Sequence, residues 1–176
     1  GALFRRAPGA LWQIGVLHCD VGGTDQHGRY APCSLSELQA VGMDYWALGH
    51  IHKRGCLCES PRIIYPGSIQ GLHANETGAH GACLVQVDES GGSTLEFQRL
   101  GPVEWHDLRV SASGCFRMDE LESRILEAAR ALLDEVQPTR GLIIRLILTG
   151  ATALNFVLRN PISQTELREQ LNADME

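Results

Sequence analysis

The sequence predicts an α/β protein, and three observations carry that prediction. Short apolar runs that read as strands end abruptly at a histidine or a glycine, a capping box opens a helix between two of them, and a long amphipathic helix separates two further strands near the C-terminus. The first strand is Leu11-Trp12-Gln13-Ile14-Gly15-Val16-Leu17, which ends at His18. Ser34-Leu35-Ser36-Glu37 is a capping box that starts a helix running to about Val41, and Gly42 closes it. The next strand, Tyr45 to Leu48, follows Asp44 and ends in Gly49-His50-Ile51-His52. A right-handed crossover from strand through helix to strand makes the two strands parallel. His18 and His50 are then expected at one edge of the sheet, at the carboxyl ends of the strands, where open α/β sheets place their ligands.

Two neutral imidazoles there suit a metal ion. The alternative is equally physical: one histidine is a solvated loop residue and the other caps a carbonyl. Gly49 is expected to take a positive φ or to let the chain pass close to a ligand.

Further along, Gly81 to Val87 and Thr94 to Leu100 read as a hairpin across the turn Glu89-Ser90-Gly91-Gly92, the second strand alternating apolar and polar residues. Pro102 punctuates, and Val103 to Val110 reads as another strand, with Trp105 in packing. From Asp119 to Val136, Leu121, Ile125, Leu126, Ala129, Leu132, Leu133 and Val136 recur at helical spacing. Pro138 and Gly141 end that helix, and Leu142 to Leu148 follows as a strand interrupted by Arg145, facing solvent or nucleic acid. Ser163-Gln164-Thr165-Glu166, a second capping box, is expected to open the last helix. This β-α-β-α tail predicts a small α+β domain.

Composition narrows the function classes. With 44% hydrophobic and 20% charged residues in 176, the chain has the make-up of a protein with a real core. No apolar run reaches the length of a membrane span and no signal-peptide pattern appears, so no membrane partner and a cytoplasmic setting are expected. A net charge of −6 argues against a broad basic footprint for nucleic acid. Arg5, Arg6, Arg54, Arg62 and Arg99 are scattered and read as surface residues. The six cysteines do not form a disulfide framework, and the single-residue spacing of Cys56 and Cys58 is too tight for a zinc pair. Cys19 follows His18 directly, and Cys83 reads as core. His27, His80 and His106 carry no pattern.

The strand ending in His18, then Tyr45-Trp46-Ala47-Leu48-Gly49-His50-Ile51-His52, then Tyr65-Pro66-Gly67-Ser68-Ile69-Gln70-Gly71 and Glu76-Thr77-Gly78, together resemble the second half of a calcineurin-like metallophosphoesterase, in particular the SbcD-type DNA repair exonucleases. The resemblance spans roughly residues 11 to 110, with much weaker motifs beyond. It implies the C-terminal half of a metallophosphoesterase β-sandwich flanked by helices over residues 1–105, and a small α+β cap domain over 106–176. It also implies that His18 and His50 bind one ion of a dinuclear pair and His52 the other, with manganese first among magnesium, zinc and iron. His73 would reach a substrate phosphate. DNA and an SMC-like ATPase would be partners.

Family members carry an Asp-x-His, a Gly-Asp-x-x-Asp and a Gly-Asn-His motif ahead of the strand that His18 ends. None occurs here, and the sequence begins at Gly1. The resemblance therefore implies an inactive C-terminal fragment whose bridging carboxylate and catalytic proton donor lie in a missing N-terminal part. A strand left unpaired at Leu11, Ile14 and Val16 would favour a homodimer. Two other function classes stay open, a non-catalytic DNA- or partner-binding module and a general metallophosphatase acting on small phosphoesters.

Overall fold

The computed structural model describes residues 4–23 and 31–175, so Gly1 and His27 lie outside the described residues. The protein is a mixed α/β chain, with eight strands in three sheets and four helices among the described residues. It divides into two compact units, the first made of Gly1–Leu72 and Gly78–Gly101, the second of His73–Thr77 and Pro102–Glu176. No helix among the described residues is long and apolar enough to cross a membrane.

The first unit is built on a four-stranded sheet. Strands β1 (Ile14–His18), β2 (Tyr45–Gly49), β3 (Gly55–Glu59) and β4 (Arg62–Tyr65) lie in the order β1-β2-β4-β3. β1 pairs parallel with β2 and β2 with β4, while β3 runs antiparallel along β4. The crossover from β1 to β2 contains helix α1 (Leu35–Val41), as the capping box predicts. The Ser34 side chain accepts from the Glu37 N–H at 3.2 Å, the Glu37 carboxylate accepts from the Ser34 N–H at 2.8 Å, and Gly42 ends the helix at φ 76°. Tyr45, Trp46 and Leu48 are buried, the near-continuous burial of a central parallel strand. Trp46, Leu38, Met43, Ile63, Cys19 and Tyr65 form the core of this unit. Asp44 fixes the start of β2, because its carboxylate accepts from the Gln13 N–H at 2.7 Å and from Arg6 at 2.6 Å.

The β3–β4 hairpin is a finding beyond the sequence reading. Its strands are four and five residues long, its turn is Ser60-Pro61, and a register irregularity falls between Cys56 and Cys58. It has neither the Asn-Gly turn nor the clean alternation that marks a hairpin in sequence. The expected hairpin of β5 (Gly81–Val87) and β6 (Ser93–Arg99) forms in full register. Its turn is pinned by the Asp88 carboxylate, which accepts from the Ser90 and Gly92 N–H groups at 2.8 and 2.9 Å. Among the described residues this hairpin forms a sheet of two strands.

In the second unit, β7 (Val103–Ser111) and β8 (Gly141–Thr149) pair in parallel over their whole length, joined by α2 (Met118–Val136). Leu121, Ile125 and Ala129 are the buried stripe of α2, and Val110, Ala112, Cys115 and Leu154 complete the core. Two helices follow, α3 (Asn155–Leu158) and α4 (Pro161–Ala173). The expected start of the last helix at Ser163 is corrected. Asn160 is the N-cap, accepting from the Ile162 N–H at 2.9 Å, with Pro161 in the first turn. An Asn cap with Pro at the first helical position outcompetes a capping box three residues later. The scattered arginines have local partners: Arg6 pairs with Asp44, Arg54 sits 4.1 Å over the Phe97 ring, and Arg62 donates to the Ser93 carbonyl. Arg145 pairs with Asp107 through two hydrogen bonds of 2.7 and 2.9 Å and donates to Asn75.

Candidate metal centre

The parallel register of β1 and β2 runs from Ile14↔Tyr45 to His18↔Gly49. His18, the last residue of β1, therefore stands opposite the glycine that ends β2, with His50 next in sequence. The two imidazoles lie 5.3 Å apart between ring centroids, edge to face at 69°. The sequence reading assigned Gly49 a positive φ or a close approach, and the structure splits these jobs between neighbours. A Cβ on Gly49 would stand 2.8 Å from His18 Nδ1, so glycine here makes room for the His18 ring. The positive φ belongs to His50, at 101°. A non-glycine residue held there costs about 1–3 kcal/mol and persists only where its surroundings over-determine it. His18 is exposed and His50 half-buried, with the His50 Nε2 atom itself buried.

His52 lies on the exposed loop beyond. Its carbonyl accepts from the Ser68 N–H at 3.0 Å, and a Cβ on Gly67 would meet that same carbonyl at 2.7 Å. Gly67 (φ 84°) thus lets the Pro66-Gly67-Ser68 turn pack against the loop that carries His50 and His52. Among the described residues, no three His, Cys, Asp or Glu side chains come together in a group that could hold an ion. Hence the structure brings His18 and His50 together and does not join His52 to them as a third donor. His73 is in the second unit, exposed, with its Nε2 3.3 Å from Glu76 and its Nδ1 accepting from the Asn75 N–H.

Two imidazoles on rigid strand ends fit two ligands of one divalent ion, since neutral histidine nitrogen suits zinc, iron and their neighbours. A tetrahedral site needs four ligands, and a dinuclear hydrolytic site holds two ions about 3.5–4 Å apart. The described residues fit half of such a site.

The supporting residue that the sequence reading passed over is Tyr65. It is buried, and its hydroxyl donates to the Cys19 carbonyl at 2.8 Å and accepts from the Val21 N–H at 3.1 Å, clamping the chain as it leaves His18. Asp20 beside it is also buried, and its Oδ2 has no hydrogen-bond partner among the described residues. The signal was present in Tyr65-Pro66-Gly67-Ser68, but nothing local shows that this phenol reaches 44 residues back to Val21.

Burial pushes the Tyr65 phenol up from 10 to about 12, with Cys19 and Asp20 adding to the rise and the Val21 N–H opposing it. A raised folded-state value means that the neutral phenol contributes stability fully present below pH 10 and lost between pH 10 and 12. Urea unfolding across that window is expected to show stability falling with pH in the wild type and a flatter limb in Tyr65→Phe. At neutral pH the variant is expected to lose about 1–3 kcal/mol, because the buried Cys19 carbonyl and the part-buried Val21 N–H lose their partner.

Residues 105–176 match the family described as metallophosphoesterase YhaO, middle domain. Over 161 residues the chain is 38% identical to the uncharacterized metallophosphoesterase YhaO of Bacillus subtilis (strain 168), an alignment covering 91% of this chain and 38% of that relative. The chain thus spans well under half the length of the curated relative it matches.

Proposed function

We propose that this chain, whose matches support a metallophosphoesterase family and with it phosphoester hydrolysis, carries part of the metal-binding face of a divalent-metal phosphodiesterase that cleaves DNA in repair. The observation that supports this reading most is the edge-to-face pair of His18 and His50 at the carboxyl ends of adjacent parallel strands. On this reading His18 and His50 hold one ion and His52 serves a second, with manganese preferred. A bound divalent ion in such a site polarises a phosphoryl oxygen and lowers the pKa of a water. The chain's own contribution is geometric: Gly49 leaves space for the His18 ring, Tyr65 clamps the backbone after it, and the Gly67 turn holds the His50–His52 loop. A DNA substrate, an SMC-like ATPase partner and a cytoplasmic setting belong to the same proposal through the SbcD-type resemblance.

With two imidazoles on one ion and one on the other, the chain by itself is expected to be inactive. Purified chain incubated with manganese and linear duplex DNA should leave the DNA intact at background rates. Turnover that disappears on His50→Ala would overturn the inactivity and show that this chain completes its own site. For a protein spanning the full length of the matched relative, cleavage of bis-(p-nitrophenyl) phosphate without any cleavage of DNA would point to a phosphatase of small phosphoesters instead.

A further inference from the structure

The reduced thiols of Cys19 and Cys33 lie 3.6 Å apart, sulfur to sulfur. The backbone already holds them together. The Cys33 N–H donates to the Asp20 carbonyl at 3.1 Å, the Gly22 N–H donates to the Cys33 carbonyl at 3.0 Å, and Val21 bridges Cys33 in parallel. Cys19 is sealed in the core of the first unit beside Trp46 and Tyr65, while Cys33 is half-buried and directly precedes the N-cap of α1. Cys33 is the more accessible of the two residues, and Cys19 is fully buried. This is the arrangement of an attacking and a resolving thiol.

We propose that Cys19 and Cys33 form a reversible intramolecular disulfide, made by exchange with a low-molecular-weight disulfide, that ties the exit of β1 to the start of α1. The Cys33 thiolate attacks one sulfur of the small disulfide, and the first small thiolate leaves. Cys19 gives its proton to the first expelled small thiolate, attacks the Cys33 sulfur and expels the second small thiolate. Two protein thiols are oxidised, one small disulfide is reduced to two thiols, and the two protons released are taken up by the expelled thiolates. Proximity of the two sulfurs makes the second step intramolecular, where well-placed groups gain most. The bond closes a short loop and limits the unfolded chain, so the oxidised form is the more stable one. It also fixes the residue adjacent to His18; this consequence alone rests on the proposed metal reading.

The test uses the whole chain with oxidised glutathione as the probe. Expected are a mass loss of two hydrogens without an added glutathione, a proteolytic cross-link joining the Cys19 and Cys33 peptides, and a melting temperature several degrees higher that dithiothreitol reverses. Cys33→Ser should lose all three changes, and Cys115→Ser should keep them. Should the core variant Cys19→Ser fail to fold, Cys33→Ser still decides the pairing. A stable glutathione adduct at Cys33, or a disulfide joining two chains through it, would overturn the proposal. Failure of the metal reading would leave these readouts unchanged.

Discussion

Substituting Gly15→Val should unfold the first unit or cost it several kcal/mol. Gly15 sits opposite Trp46 in the β1–β2 register, and a Cβ at residue 15 would stand 2.3–2.7 Å from three atoms of the Trp46 ring. The ring has nowhere to go. Trp46 is fully buried, its Nε1 donates to the Leu38 carbonyl at 3.1 Å, and Phe4 packs edge-on at 5.4 Å. Overpacking a tight core costs about 1–3 kcal/mol, and loss of a buried aromatic side chain costs about 3–5 kcal/mol. Because native stabilities are only about 5–15 kcal/mol, the variant is expected either to be unfolded or to show a much lower urea midpoint. A midpoint within experimental error of the wild type would mean that β1 does not lie against Trp46.

The second large effect is expected in self-association. Among the described residues strand β1 is an edge of the four-stranded sheet; Ile14 and Val16 on it are 54% and 72% exposed, and Leu11, just ahead of it, is 67% exposed. An apolar strand with an open row of N–H and C=O groups is a template for pairing, and an isologous dimer is the commonest symmetric way to cover one. Covering it again gains roughly 25 cal/mol per Å² of apolar surface. Sedimentation of the purified chain should therefore show a concentration-dependent dimer. Ile14→Lys should weaken it at least tenfold, by setting a charge on the strand edge, whereas Arg168→Ala on α4 should leave it unchanged. A clean monomer at high concentration, or equal effects of the two variants, would rule out this edge as the contact.

Much of the fold is legible in the sequence because the relevant forces are local. The capping box at Ser34 and Glu37, the αL glycine at residue 42, the spacing of Leu121, Ile125 and Ala129, and the Asp88-to-Gly92 turn each involve residues within a few positions of one another. The parallel pairing of β1 with β2 follows from the helical crossover through α1 that joins them, and with it the meeting of His18 and His50. The short β3–β4 hairpin was hidden, since its strands are held by sheet neighbours rather than by their own pattern. The start of α4 differs from the expectation because two start signals lie three residues apart, and the Asn160 cap with Pro161 in the first turn takes precedence over the box at Ser163. Within the site, the division of labour between Gly49 and His50 was invisible. A glycine beside a histidine signals that one backbone is special, but the register decides which residue bears the strain. Tyr65 and Cys33 were hidden for the same reason, their contacts with the chain after β1 being made across the fold.

The most direct test of the metal half-site is a titration of the folded chain with manganese, followed through the histidine ring signals in the NMR spectrum. Paramagnetic broadening falls off steeply with distance, so two imidazoles that share one ion must respond together. The His18 and His50 ring signals are expected to broaden in step at substoichiometric manganese, before those of His80 and His106, and His50→Ala should abolish the response at His18. Broadening of His18 that survives His50→Ala, or a first response at His73 while His18 and His50 stay sharp, would contradict a shared ion at the ends of β1 and β2.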